Sequence, residues 1–160
     1  MTQALLGLGS NMGDRRSRLE LAVSSLPEVV RVSGLYETAP IGGPEQDPFL
    51  NLVVEVDTSL GPWLLLQRCH ALERAADRVR VVRWGPRTLD VDILLYGDLE
   101  LNDPDLTIPH PRMWNRKFVL QPLADLVPEQ VSAARLLAVD DQEVIRVEDL
   151  AGWPGGGRRI

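Results

Sequence analysis

Hydrophobic and polar positions along the first half of the chain change period, which predicts strands that alternate with helices. Residues 3–9 form a short apolar run ending in glycine, as a buried strand does. From residue 14 to residue 26 apolar side chains recur at helical spacing, and Pro27 ends the pattern. Residues 29–38 are rich in branched side chains and predict a second strand. Three prolines and two glycines within residues 39–48 then indicate a long loop.

The same alternation continues up to Gly97. Residues 49–57 predict a third strand, and Pro62 opens a helix that ends near Arg78. Residues 89–96 form a fourth apolar run, bounded by the glycine. The resulting order, βαββαβ, is that of the ferredoxin-like fold, in which two helices lie on one face of an antiparallel sheet. The sequence therefore predicts an α+β protein.

The remainder of the chain carries a weaker pattern. We expect a short strand or turn near residues 99–101 and a helix over residues 116–126. The glycine-rich stretch 152–157 is typical of a loose tail. A length of 160 residues favours one domain over residues 1–160. Its last part, about 131–160, is a C-terminal extension that the pattern does not assign.

Charge and cysteine content narrow the class of protein. Lysine and arginine number 17 against 23 aspartates and glutamates, so the formal net charge is −6. Nucleic-acid binding through bulk charge is therefore not expected. Cys69 is the single cysteine, which excludes an internal disulfide and a cysteine metal cluster. The first residues resemble neither a signal peptide nor a membrane anchor, and we expect a cytoplasmic protein.

Two aspartates lie on the predicted fourth strand. In a strand, side chains two residues apart share a face, so Asp90 and Asp92 point the same way. Leu89, Val91 and Ile93 then point into the opposite layer. Carboxylates on one face repel each other, and Mg²⁺ suits hard oxygen ligands of this kind. The alternative is that both aspartates face solvent or pair with neighbouring arginines.

Four arginines lie within ten residues just before this strand, although the chain as a whole is acidic: Arg78, Arg80, Arg83 and Arg87. Planar guanidinium groups suit phosphate oxygens. A loop of arginines beside paired carboxylates is typical of phosphoryl transfer. The alternative is a solvated loop that balances nearby acidic residues. Trp84 lies in the same loop and could serve as a lid or an anchor.

Other candidates stay open on spacing alone. Phe49 and Phe118 are either core residues or rings that stack on a flat heterocycle, with Asn51 supplying a hydrogen-bond donor and acceptor to its edge. His110, held between two prolines and near two arginines, is either structural or faces a phosphate. The glycines between residues 7 and 13 are spaced one residue too long for a dinucleotide motif, which favours a tight turn and a capped helix start.

Five sequence blocks resemble the 6-hydroxymethyl-7,8-dihydropterin pyrophosphokinase family of folate biosynthesis. They occur in order within about residues 4–130: GLGSN at 7–11, YETAP at 36–40, FLN at 49–51, RWGPRTLDVDI at 83–93 and PHPRM at 109–113. The block at 83–93 is the most specific of them. The resemblance implies a ferredoxin-like αβα sandwich. It also implies transfer of the pyrophosphoryl group of ATP to the pterin hydroxymethyl oxygen, with release of AMP.

The resemblance also implies roles for individual residues. Asp90 and Asp92 match the ligands of two Mg²⁺ ions. Apart from the resemblance, metal coordination would activate the hydroxymethyl oxygen, and Asp92 is our candidate to accept its proton. Arg78 and Arg87 match residues that hold the transferring group. Contacts to ATP are implied for Glu73, Arg80, Trp84, Arg87, His110 and Arg116. Contacts to the pterin are implied for Thr38, Phe49, Asn51 and Phe118.

Two other functions fit the same element order. An RNA-binding module shares it, but requires stacked aromatic residues on its central strands, which the first and third predicted strands do not offer. A regulatory nucleotide-binding domain would keep the arginines without needing both carboxylates. We expect a monomer that binds ATP and the pterin, with no nucleic acid and no membrane as partners.

Overall fold

The computed structural model describes residues 1–11, 13–26, 28–38, 48–77, 89–153 and 157–158. Within them the strands are β1 Thr2–Ser10, β2 Val29–Val32, β3 Gly34–Thr38, β4 Phe49–Thr58, β5 Asp90–Tyr96, β6 Leu101–Asp103, β7 Leu106–Ile108, β8 Val144–Asp149 and β9 Gly157–Arg158. The helices are α1 Arg15–Ser24, α2 Pro62–Asp77, α3 Lys117–Leu126 and α4 Ala133–Ala138. Single 3₁₀ turns cover Met113–Asn115 and Pro128–Gln130. Among the described helices, none is long and apolar enough to cross a membrane.

The main sheet is antiparallel and has the order β5-β1-β4, with both β2 and β3 paired to the far side of β4. The predicted second strand is therefore two strands rather than one. At Ser33 an extra residue interrupts the ladder, and the Ser33 hydroxyl accepts a hydrogen bond from the Val53 amide at 2.8 Å. With β2 and β3 counted together, the strand order is that of the ferredoxin-like fold, which confirms the predicted class.

The two faces of the sheet carry separate apolar clusters. Even-numbered residues of β1, such as Leu6, pack with α1 and α2 through Leu19 and Leu65. On the opposite face Leu5 packs with α3, for example with Leu120. This division follows from the alternation of side chains along a strand. The predicted arrangement of helices on both sides of the sheet is thus present, with α3 as the second layer.

The C-terminal extension continues the sheet. Strand β8 pairs with β3, and β9 pairs with β2. Trp153 is only 9% exposed and belongs to the α1 and α2 cluster. The expectation of a loose tail over 152–157 is therefore wrong at Trp153 and Gly157, because an apolar side chain and a short strand attach the segment to the fold. Residues 154–156 lie outside the described part of the chain.

One carboxylate fastens α3 to the sheet. Asp125, near the end of α3, accepts hydrogen bonds from the Gly34 amide at 3.1 Å and from the Tyr36 hydroxyl at 2.9 Å. Burial and this carboxylate raise the pKa of Tyr36 above its ordinary value. Arg146 of β8 lies over Gly34, where an added Cβ would come within 2.7 Å of its Nε. The contact therefore joins α3, β3 and β8.

We predict that Asp125→Ala lowers the free energy of unfolding by about 2 kcal/mol, because the Gly34 amide and Tyr36 hydroxyl lose a charged acceptor. Tyr36→Phe should cost about 1 kcal/mol, since the Gly34 bond survives. Urea unfolding measures both, with the exposed Asp98→Ala as control. A loss below about 0.5 kcal/mol in Asp125→Ala would show that this contact does not hold α3 in place.

Candidate active site

One end of the sheet, on the face covered by α3, collects the side chains that the sequence singled out. There β1 and β3 end while β4 and β5 begin. Gly9 of β1 pairs with Asn51 on one side and with Asp90 on the other. Residues directly opposite one another in antiparallel strands share a face. Asn51 and Asp90 therefore flank Gly9 on neighbouring strands.

Gly9 leaves room for a buried amide. A Cβ at this position would stand 2.7 Å from Oδ1 of Asn51. The Asn51 Nδ2 in turn donates to Oγ1 of Thr38 at 3.0 Å, and both residues are buried. The half-buried Phe49 pairs with Thr38 across the strands. Gly9 lies inside β1 rather than in the expected tight turn, and the turn conformation is found at Gly13, with φ of 64°.

The alternation predicted for the fourth strand is present in β5. Leu89, Val91 and Ile93 are buried, whereas Asp92 is exposed and Asp90 is partly buried. Among the described strands β5 has a neighbour only on the β1 side. The two aspartates thus face the α3 side of the sheet at its margin.

Glu73, near the end of α2, is a third acidic side chain at this margin of the sheet. Its Oε2 accepts a hydrogen bond from the Val91 amide at 3.1 Å, which satisfies part of the open edge of β5. Burial raises the pKa of Glu73, and the charges of Asp90 and Asp92 raise it further, while the bond from Val91 lowers it. The Glu73 carboxylate is therefore within electrostatic reach of Asp90 and Asp92.

The Asp90 and Asp92 carboxylates have the oxygen-ligand chemistry that a magnesium ion requires. Within the described residues, no three His, Cys, Asp or Glu side chains form a group that could hold a metal. Mg²⁺ keeps several waters and is commonly bound by one or two carboxylates together with substrate phosphates. Asp90 and Asp92 on one face match that requirement.

His110 and Arg116 supply the basic side of the site. Burial lowers the pKa of His110, with smaller effects from the Asp92 carboxylate, which raises it, and from Arg116, which lowers it. The imidazole is thus within electrostatic reach of both residues. The Arg116 Cζ lies 5.5 Å from the ring centroid of the half-buried Phe118.

The structure brings together nine predicted site residues around this end of the sheet: Thr38, Phe49, Asn51, Glu73, Asp90, Asp92, His110, Arg116 and Phe118. The predicted Arg78, Arg80, Trp84 and Arg87 lie outside the described residues, and their roles stay predictions. Sequence analysis missed Gln142, whose amide contacts both sides of Arg116. No local pattern could reveal it, because the contacting residues are 25 and 27 positions away.

Comparisons with known proteins point to one family. The family model for 7,8-dihydro-6-hydroxymethylpterin-pyrophosphokinase matches residues 5–128. The chain is 46% identical over 149 residues to the 2-amino-4-hydroxy-6-hydroxymethyldihydropteridine pyrophosphokinase of Bacillus subtilis, covering 90% of this chain and 89% of that protein. It is 42% identical over 158 residues to the enzyme of the same name from Methylorubrum extorquens, covering 92% and 100%.

A solved structure shares the fold. The crystal structure of wild-type Plasmodium falciparum HPPK-DHPS with SDX-DHP superposes with a TM-score of 0.62 at 18% identity. The match covers 81% of this chain and 40% of that one.

We predict that Glu73→Gln raises the free energy of unfolding at pH 7 in buffer with a chelator. The amide oxygen can still accept from Val91, while the charge beside Asp90 and Asp92 is removed. Because the folded-state pKa of Glu73 lies above its ordinary value, wild-type stability falls as the pH rises from the ordinary pKa through the raised one. The difference in free energy of unfolding between Glu73→Gln and wild type should grow over the same pH interval and then level off.

Urea unfolding at several pH values measures this difference, with the exposed Glu100→Gln as the matched control. A Glu73→Gln protein that is less stable than wild type at pH 7 would contradict the claim that burial and the charges of Asp90 and Asp92 destabilise the ionised Glu73.

Proposed function

The chain belongs to the 7,8-dihydro-6-hydroxymethylpterin-pyrophosphokinase family, and we propose that it performs the family's reaction at the α3-side end of its sheet, with Asp90 and Asp92 as the Mg²⁺ ligands. It is a pyrophosphokinase of folate biosynthesis. It transfers the pyrophosphoryl group of ATP to the hydroxymethyl group of 6-hydroxymethyl-7,8-dihydropterin and releases AMP. The residues that carry out each part, and the metal ions, are our proposal.

The register of three strands is the observation that carries the proposal. Asn51 and Asp90 lie on either side of Gly9, so their backbones are separated by roughly 10 Å, twice the spacing of strands. Since Gly9 has no side chain, the Asn51 amide lies over it, with Oδ1 2.7 Å from where a Cβ at Gly9 would stand. A bicyclic ring hydrogen-bonded to this amide can direct its hydroxymethyl group toward the two aspartates.

The pterin would be held by the groups on β3, β4 and α3. The bond from Asn51 to Thr38 fixes the orientation of the Asn51 amide, so that it presents one hydrogen-bonding edge. Phe49 and Phe118 are each only partly buried, which leaves ring surface for stacking. We assign these four residues to the pterin pocket.

The acidic groups would bind the metal ions and accept the proton, and the basic groups would bind the phosphates of ATP. Two bound Mg²⁺ ions would neutralise phosphate charge and make the hydroxymethyl group easier to deprotonate. The exposed Asp92 carboxylate is the group we assign to accept that proton. Arg116 and His110 lie within electrostatic reach of each other and would bind the phosphates of ATP.

Residues of the segment 78–88 complete the proposal. We assign Arg78 and Arg87 to the transferring group, where guanidinium charge stabilises the displacement at the β-phosphorus. Arg80 and Trp84 are assigned to ATP, as is Glu73. The support for Glu73 is the hydrogen bond that its carboxylate accepts from the Val91 amide of β5, between Asp90 and Asp92.

An RNA-binding function is disfavoured by the packing of α3. RNA-binding modules of this topology stack bases on the sheet face opposite their two helices. In this chain that face is covered, and Leu5 and Val53 on the central strands are each 1% exposed. We propose that residues 1–160 form one catalytic domain, which acts as a cytoplasmic monomer without a nucleic-acid or membrane partner.

The nucleotide that is formed from ATP tests the proposed pyrophosphoryl transfer. With Mg²⁺ and 6-hydroxymethyl-7,8-dihydropterin, we expect AMP and the pterin diphosphate in equal amounts by chromatography. Formation of ADP would contradict pyrophosphoryl transfer. Nucleotide binding without pterin-dependent turnover would favour a regulatory domain instead.

We predict that Asp92→Ala lowers kcat by about 10²-fold or more, because a charge-stabilising ligand is lost from the reacting centre. Circular dichroism should show that the fold persists, since Asp92 is exposed. The exposed Asp98→Ala, on the turn after the same strand, is the matched control. A kcat near that of wild type would remove Asp92 from the mechanism.

We predict that Gly9→Ala raises the KM for the pterin about tenfold while the KM for ATP changes little. The added methyl group would lie 2.7 Å from Oδ1 of Asn51 and force the amide away from its position. Gly61→Ala is the control, because no described atom lies within 4 Å of its added Cβ. An unchanged pterin KM in Gly9→Ala would contradict the role given to Asn51.

A further inference from the structure

Gln142 of the C-terminal extension holds the start of α3 with two hydrogen bonds. Its Nε2 donates to the carbonyl oxygen of Asn115 at 2.8 Å. Its Oε1 accepts from the amide of Lys117 at 2.9 Å. These two backbone groups belong to the residues immediately before and after Arg116. One side-chain amide therefore fixes the backbone on both sides of Arg116.

The first turn of α3 needs this cap from elsewhere in the chain. Arg116 occupies the N-cap position with extended backbone angles, φ −124° and ψ 107°. In the described part of the chain its side chain makes no capping hydrogen bond. Arginine has no acceptor to offer the helix amides, and its charge is unfavourable beside the positive end of a helix dipole. Because Gln142 supplies the acceptor for the Lys117 amide, the Arg116 guanidinium takes no part in capping and lies over the Phe118 ring.

Gln142 is itself held by its surroundings. Its backbone N–H donates to the Val139 carbonyl at 3.0 Å, and Val139 is 2% exposed in the cluster under α3. In α4, four residues before Val139, the Arg135 Cζ lies 3.7 Å from the ring centroid of Trp114. The segment from α4 to Gln142 is thus attached to residues 113–117 at two separate points.

We propose that Gln142 is a positioning residue for ATP binding, which acts by fixing the backbone that carries Arg116. The inference rests on the proposed function, since Arg116 is assigned there to the phosphates of ATP. It gives the C-terminal extension a role in the reaction, although no residue of the extension has to touch a substrate. A guanidinium displaced by about 1 Å is enough to weaken phosphate binding severalfold.

Steady-state kinetics separate this role from a purely structural one. We expect Gln142→Ala to raise the KM for ATP about five- to tenfold, with a smaller change in kcat. Gln142→Glu should lie between Gln142→Ala and wild type. Its carboxylate still accepts from the Lys117 amide but can no longer donate to the Asn115 carbonyl. Gln142→Glu also carries the test if Gln142→Ala does not fold. Gln130→Ala, an exposed glutamine outside the contact, is the control and should match wild type.

A double-variant cycle shows whether Gln142 acts through Arg116. In an Arg116→Ala background, adding Gln142→Ala should change the KM for ATP by less than about twofold, because the positioned side chain is already gone. Additive effects, or an unchanged KM in Gln142→Ala with only reduced stability to urea, would overturn the inference while the wild type still forms AMP. A wild type that forms no AMP would overturn the proposed function itself.

Discussion

The packing of α3 on one face of the sheet is the constraint on which the remaining structure depends. It buries Leu5 and Val53 of the central strands and covers the face that a bare ferredoxin-like sheet would leave exposed. The helix is held at both ends by polar contacts. Asp125 attaches its end to β3, and Gln142 caps its start. Because a helix held at both ends has little freedom to slide, the residues at its first turn keep a defined place beside the strand ends.

Within the described residues, the candidate site is therefore built from backbone register and helix placement. Gly9 lies between Asn51 and Asp90 in the sheet, and the Asn51 amide fills the space that a side chain at Gly9 would take. The acidic group lies at one margin, with Glu73 sharing the edge of β5. On the other side, Arg116 provides positive charge, and the imidazole of His110 provides a ring nitrogen that can donate a hydrogen bond. A formal net charge of −6 is thus an average over local regions of opposite sign, and it does not exclude a phosphate-bearing substrate.

Much of this arrangement could be predicted from the sequence, because alternating and helical periods survive wherever one face is buried. The strand carrying Asp90 and Asp92 shows the predicted alternation for that reason. The break at Ser33 was missed, since one inserted residue leaves the apolar composition of the segment unchanged. The extension was missed because β8 is exposed along most of its length, with Ile145 at 67%, and so has no apolar period. Gln142 depends on a distant contact that local sequence does not encode.

The most direct measurement is a crystal structure of the protein with Mg²⁺, a non-hydrolysable ATP analogue and 6-hydroxymethyl-7,8-dihydropterin. We expect the pterin on the α3 side of the sheet, between Phe49 and Phe118 and bonded to Asn51. Its hydroxymethyl group should point across Gly9 toward metal ions on Asp90 and Asp92, with Arg116 on the phosphates. A pterin bound on the α1 and α2 face, or metal ions held away from both aspartates, would contradict the assignment of this site.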